Sequence, residues 1–271
     1  NGPALHVQSR GLLVLAIMGA TLLQILDTTI ANVAIPHMQS SLGATMETVT
    51  WVLTSYIIAS AIATPVTGWL ADRIGRRQLL LISVALFIVS SMLCGLSTSL
   101  EEMVLFRVLQ GITGAFISPL AQSFMLDIHA PKDHPKAMSI WAMGIMIGPI
   151  MGPVLGGLLT EHLNWRWVFF VNVPIGAMSL ALLFALLPRT DKVTRSFDFI
   201  GFGSIAIALG SLQLLLDRGQ QLDWFESGEI WVEAILCLSM IWIFIIRILT
   251  AERPLFSRQL FADRSFIAAL I

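Results

Sequence analysis

The sequence predicts an all-α polytopic membrane protein, and three observations carry that assignment. Hydrophobic residues make up 56% of the chain and charged residues 12%, about half the roughly 25% charge of a soluble domain. Mean hydropathy is +0.82. Apolar runs of the roughly 20 residues that cross a hydrocarbon core of about 30 Å recur near 11-35, 49-70, 79-98, 102-125, 138-160, 166-187, 198-217 and 229-249. Finally, Lys and Arg collect on one side of that alternation.

The basic side comprises Arg10, then Arg73, Arg76 and Arg77, then Lys132 and Lys136, then Arg189, Lys192 and Arg195, and finally Arg247, Arg253, Arg258 and Arg264. The opposite connections hold Arg166 and Arg218, and Arg107 alone falls inside a span. By the positive-inside rule this bias puts the N-terminus of a multi-pass membrane protein in the cytoplasm. Trp51, Trp69, Trp141, Trp165, Trp167, Trp224 and Trp231 lie near span ends, the aromatic-belt position.

Residues 1-10 are a cytoplasmic arm, six spans fall within 11-187 and two more within 188-249, and 250-271 hold a cytoplasmic connection. There SFIAALI opens a ninth span from residue 265, so a longer protein is expected. Within that connection, RILTAERPLFSRQLFADR at 247-264 has the amphipathic, basic look of a helix on the inner leaflet; a solvated linker is the alternative.

Several function classes are excluded or disfavoured. His6, His37, His129, His134 and His162 all fall in connections, so no buried histidine metal or catalytic site is expected. Cys94 and Cys237 lie in apolar runs without metal-ligand spacing and read as small apolar fillers. An enzyme is disfavoured, no cofactor is expected, and a net charge of -1 gives no sign of nucleic acid.

Transport asks for a protonatable group at depth, and the first span offers Asp27 in LQILDTTIANVAIP. A charge at the bilayer centre costs about 2.5-3.5 kcal/mol on insertion scales. Asp27 should therefore face a bundle interior or an aqueous cavity. A carboxylate that gains and loses a proton there is a coupling site. The alternative is a structural Asp hydrogen-bonded to Thr28, Thr29 or Gln24.

Arg107 in FRVLQGITGA is the basic residue within a span, and depth makes it a partner for Asp27. Taking Pro36 as the outer end of span 1, Asp27 lies about 13 Å inside it and Arg107 about 8 Å inside span 4, at ~1.5 Å per residue. The alternative for Arg107 is snorkelling to the outer interface. Tyr56 in span 2 and Gln110, one turn beyond Arg107, are candidates to line a substrate cavity; core packing is the alternative for each.

After span 2, GWLADRIGRRQ sets Gly68, Asp72, Arg73, Gly75 and Arg76 in one loop. Gly68 would admit a close helix, and the Asp72 carboxylate would meet a helix N-terminus or Arg76. Asp127, at the inner end of span 4, is a local partner for Arg73 or Arg76. In span 5, GIMIGPIMGPVLGG places Gly144, Gly148, Gly152 and Gly156 at four-residue spacing, a small-xxx-small ribbon. Pro149 and Pro153 remove helical hydrogen bonds and make the contact pliable; Gly157 adjoins the ribbon.

Taken in order, LDTTIANVAIP, GWLADRIGRR, RVLQGITGA and GIMIGPIMGPVLGG resemble the signature motifs of the major facilitator superfamily. They are most similar to the fourteen-helix drug:proton antiporters of the EmrB/QacA group. WRWVFFVNVPIG at 165-176 and LQLLLDRGQQLDWFES at 212-227 bring the likeness closer to EmrB-type subunits of tripartite pumps.

That resemblance implies an N-terminal six-helix bundle, two linking helices and a second bundle beyond this sequence. It implies that Asp27 and Arg107 handle the coupling proton, and that Gly68, Asp72, Arg73, Gly75 and Arg76 gate the cytoplasmic side. It implies that the span-5 glycines and prolines pack against the other bundle. It further implies export of amphipathic or cationic toxic compounds by alternating access. A periplasmic adaptor and outer-membrane channel would be partners, with the outer loop 217-229 a candidate contact. An exporter of one metabolite, and a non-transporting scaffold or sensor, are the rival readings.

Overall fold

A computed structural model describes residues 5, 9–188, 190, 192–193, 196–251 and 255–256. Among these it holds eight helices long and apolar enough to cross a membrane. They are α1 (Arg10–Ser41), α2 (Met46–Ile74), α3 (Arg76–Leu96), α4 (Leu100–Asp127), α5 (Pro131–His162), α6 (Trp167–Leu186), α7 (Phe199–Arg218) and α8 (Gly228–Thr250). Their order follows the eight sequence-predicted spans. The ninth span, most of the 247-264 stretch and Arg189, Arg195, Arg253, Arg258 and Arg264 lie outside the described residues.

Several boundaries differ from expectation: α5 starts at Pro131 against the expected 138 and α2 runs to Ile74 against the expected 70. Helix α1 continues through Pro36 to Ser41, so Pro36 does not mark its outer end. A proline removes one backbone donor, and the flanking hydrogen bonds carry the helix past it. Elsewhere some prolines do interrupt, although α5 continues through Pro153. Helices α4, α5 and α6 each break at one residue, Phe116, Met146 and Val171. Each break lies three residues before Pro119, Pro149 or Pro174, whose rings crowd the carbonyl four residues back. A 3₁₀ turn at Thr64–Val66 does the same around Pro65 in α2.

Two apolar clusters fill the six-helix bundle. One, at the end of the bundle where α1 begins, gathers Leu13, Ile17, Leu80, Phe87, Phe124 and Leu187 among others. The second, toward the opposite end, includes Leu26, Ile30, Val52, Met103, Trp165 and Phe169. Between them lies a polar seam, described below.

Helices α7 and α8 pair with each other and lean on α2 through α7. At the outer side the Thr54 hydroxyl donates to the Asp217 carboxylate, and Arg218 pairs with Glu229 across the hairpin. At the inner side Asp198 caps α7 through the Gly201 amide at 3.0 Å and accepts from Arg247 of α8 at 3.0 Å. The rings of Phe197 and Trp69 meet at 4.5 Å. Cys94 and Cys237 are buried and unpaired.

Candidate functional site

Asp27 projects from α1 into the seam and is 1% exposed; Arg107 and Gln110 from α4, with Asn172 from α6, are fully buried. Arg107 Nη1 donates to Asp27 Oδ2 at 2.5 Å. Gln110 Nε2 and Asn172 Nδ2 donate to Oδ1 at 2.8 and 2.6 Å. Both carboxylate oxygens therefore accept directly. Arg107 is held further by the Val52 carbonyl at 2.9 Å and Gln110 Oε1 at 2.7 Å. Its guanidinium carbon sits 4.3 Å from the Tyr56 ring centroid.

The surroundings build this geometry from the chain upward. The break at Val171 sets Asn172 at the start of the second segment of α6. There its amide also donates to Ser91 Oγ of α3 at 3.0 Å. Ser91 in turn donates to the Phe169 carbonyl at 2.9 Å, and the Cys94 thiol lies 3.6 Å from Gln110 Oε1. Gly111 presents no side chain where α4 meets the Tyr56 backbone, so α4 can bring Arg107 and Gln110 close to α2. Stripping water from two charges costs several kcal/mol per ion, which their attraction offsets only with good geometry and satisfied neighbours. Three direct donors satisfy Asp27, while Arg107 Nη2 and Asn172 Oδ1 are buried without a partner among the described residues.

The partners expected for a structural Asp27 are not the ones it bonds. Thr28 and Thr29 donate to carbonyls of their own helix, and Gln24 Oε1 accepts from Ser118 at 2.7 Å. Arg107 does not snorkel; its side chain is fully enclosed. Tyr56 and Gln110, candidates for a substrate cavity, are packed here against Arg107 inside the bundle, 3% and 0% exposed. Asn172 and Ser91 were not singled out from sequence. The available signal was a lone carboxamide in the apolar stretch WRWVFFVNVPIG.

The expected loop at 68–78 is helical on both sides. Helix α2 carries Gly68, Asp72 and Arg73 and ends at Ile74, and α3 starts at Arg76. Gly75 alone makes the turn at φ +101°, a conformation that glycine alone adopts readily. Arg76 pairs with Asp127 at 2.6 Å and donates to Ser123 Oγ at 2.7 Å, which decides between the two arginines proposed for Asp127. Arg73 stacks over Trp69 at 5.3 Å. The Asp72 carbonyl accepts from the Val193 amide at 2.8 Å. A Cβ at Gly68 would meet nothing within 4 Å among the described residues, so the expected close helix is not seen there.

The span-5 ribbon is also placed differently from expectation. Gly144, Gly148, Gly152 and Gly156 face Met18, Ile25, Thr29 and Val33 of α1, within the same bundle and not across to another. Thr29 Oγ1 donates to the Gly148 carbonyl at 3.3 Å. The physical reason is the four-residue repeat, which keeps all four glycines on one face and lets the two backbones close. Pro149 and Pro153 lie on the exposed side of α5, and Gly157 has no neighbour within 4 Å of a Cβ.

Comparison with known proteins agrees with this arrangement. The sequence profile of the Major Facilitator Superfamily matches residues 17–271. The chain is 42% identical over 257 residues to the multidrug export protein EmrB of Haemophilus influenzae, covering 94% of this chain and 50% of that protein. It is 41% identical over 259 residues to EmrB of Escherichia coli K12, with 94% and 50% covered. To the fatty acid resistance protein FarB of Neisseria gonorrhoeae it is 39% identical over 257 residues, with 93% and 50% covered. The chain thus spans about half the length of these relatives.

Among solved structures, a peptide transporter POT in complex with sulfate superposes with TM-score 0.65 at 16% identity, covering 91% of this chain and 53% of that one. The human organic anion transporter MFSD10 gives 0.57 at 15%, covering 91% and 72%. These likenesses carry the fold alone. With its eight spanning helices, its buried seam and a profile match over nearly its whole length, this chain belongs to the Major Facilitator Superfamily as a multi-pass membrane protein.

Proposed function

We propose that this chain forms the first half of a proton-driven multidrug exporter that moves amphipathic or cationic toxic compounds by alternating access. One observation carries the reading: a fully enclosed carboxylate, Asp27, whose ion-pair partner already holds alternative acceptors. A proton arriving on Oδ2 would replace an acceptor with a donor facing Arg107 Nη1, and the contact would open. Arg107 would not be stranded, because Gln110 Oε1 and the Val52 carbonyl already accept from it. The pair is therefore a two-position element that a proton can bias, and a cationic substrate facing Asp27 would bias it the same way.

The proton is the coupling ion, and the chain performs no covalent chemistry. Alternating access would rock this bundle against a second one around a midplane site. The turn at Gly75 and the helix ends that flank it, residues 68–78, would close the cytoplasmic side with Asp127, and the N-terminus would be cytoplasmic in the inner membrane. The names of the relatives support multidrug export, and the fatty-acid-resistance relative extends the substrate class to amphipathic acids. A periplasmic adaptor and outer-membrane channel would complete a tripartite pump, with the outer loop 217–229 as contact.

The test is efflux from energised vesicles containing the full-length protein. Asp27→Asn keeps the shape and removes the titratable group, so proton-driven efflux is lost while membrane insertion persists. Unaltered efflux in that variant would reject the coupling role. A substrate panel separates the multidrug reading from export of a single metabolite.

A further inference from the structure

The back of the bundle carries a second built feature, away from the Asp27 seam. Between α3 and α6, on their cytoplasmic halves, lies an open apolar groove of about 820 Å³. Its walls are Leu81, Ile82 and Ala85 from α3 and Leu180, Ala181 and Phe184 from α6, with Arg77 and Gln78 at the cytoplasmic end. Arg77 and Gln78 also line a polar cup of about 360 Å³, completed by Thr190 and Lys192 of the linker. Apolar groove and cationic cup thus join at shared residues.

The dimensions fit one leaflet. Arg77 to Ala85 rises about 12 Å at ~1.5 Å per residue, close to half of the ~30 Å hydrocarbon core. The cup sits where a headgroup would, and among the described residues its lining holds two cations, Arg77 and Lys192. Arg77 donates to the Leu187 and Phe184 carbonyls, each at 2.7 Å, and stacks over Phe184 at 5.5 Å. Among the described residues neither Arg77 nor Lys192 has a carboxylate partner. The Thr190 hydroxyl accepts from the Arg77 amide at 3.2 Å, which fixes the linker over the first turn of α3.

We propose that this groove and cup bind one anionic phospholipid of the inner leaflet, phosphate against Arg77 and Lys192 and acyl chain between α3 and α6. Basic pockets between spanning helices on the cytoplasmic side suit such headgroups. The lipid would also lock the linker onto the inner loop. Thr190 and Lys192 lie against Gly75, and the adjoining Val193 amide bonds to the Asp72 carbonyl.

The test is native mass spectrometry of the delipidated full-length protein, titrated with phosphatidylglycerol, phosphatidylcholine or glycerol 3-phosphate. Phosphatidylglycerol should be retained preferentially. Lys192→Gln, an exposed side chain, should weaken it about fivefold, the worth of one interfacial cation. Ala181→Phe fills the groove without touching the charges and should weaken it as well, whereas Arg77→Gln also uncaps α6. Three results would overturn the site. They are equal retention of the two lipids, wild-type retention by both Lys192→Gln and Ala181→Phe, or glycerol 3-phosphate binding as tightly as the lipid. Loss of a dimer in Ala181→Phe with equal lipid retention would assign the groove to a second copy and overturn it too.

Discussion

Arg107 and Asp27, eighty residues apart in sequence, meet at 2.5 Å with both side chains closed off from the surface. Truncating one partner alone leaves the other charge buried. Arg107→Leu should therefore destabilise the full-length protein by about 3–5 kcal/mol, while the double variant Asp27→Leu with Arg107→Leu should lose less than Arg107→Leu alone. Thermal unfolding in detergent across the four-member cycle checks this. Additive losses would mean that the pair does not act as a unit.

Asn172 donates both to Asp27 and to Ser91. Asn172→Ala removes a buried donor from each, a loss of about 1–3 kcal/mol, and should slow efflux with the protein still inserted. Asn172→Gln, which keeps the amide but adds a methylene to a tight site, should recover only part. Melting temperature and efflux rate are read together; a stable variant with full efflux would remove Asn172 from the site.

The ribbon of α5 supplies an internal control. A Cβ on Gly152 would collide with Thr29, whereas one on Gly157 would meet open space. Gly152→Ala should cost about 1–3 kcal/mol by overpacking, and Gly157→Ala should be tolerated. Equal effects in a thermal-shift assay would show that the glycines do not act through contact with α1.

At the inner loop Gly75→Ala forces a Cβ onto a backbone at φ +101°, with a strain of about 1–3 kcal/mol. The substitution should loosen the turn that positions Arg76 toward Asp127. Thiol labelling of a cysteine introduced at Ser123 should become faster in this variant. Unchanged labelling would mean that the turn holds Arg76 without the glycine.

Much of this was legible in the sequence because hydrocarbon is a demanding solvent. Each charge in an apolar run stands out, which is why Asp27 and Arg107 could be paired by depth before any geometry was known. The alternation of Lys and Arg gave the span order for the same reason. Asn172 was harder to find because an uncharged amide leaves a weak hydropathy signal, and its partners Asp27 and Ser91 come from two other helices. The facing of the glycine ribbon was also hidden. A four-residue repeat tells that one side packs closely, but the neighbour is chosen by the whole bundle. Pro36 misled because a proline inside a helix and one at its end look alike in sequence.

The central claim is that Asp27 carries the coupling proton, and proton release on substrate binding measures it most directly. Purified full-length protein in weakly buffered detergent, mixed with a cationic substrate, should acidify the medium, and Asp27→Asn should abolish the release while substrate still binds. Release of the same size from the Asp27→Asn protein would contradict the account.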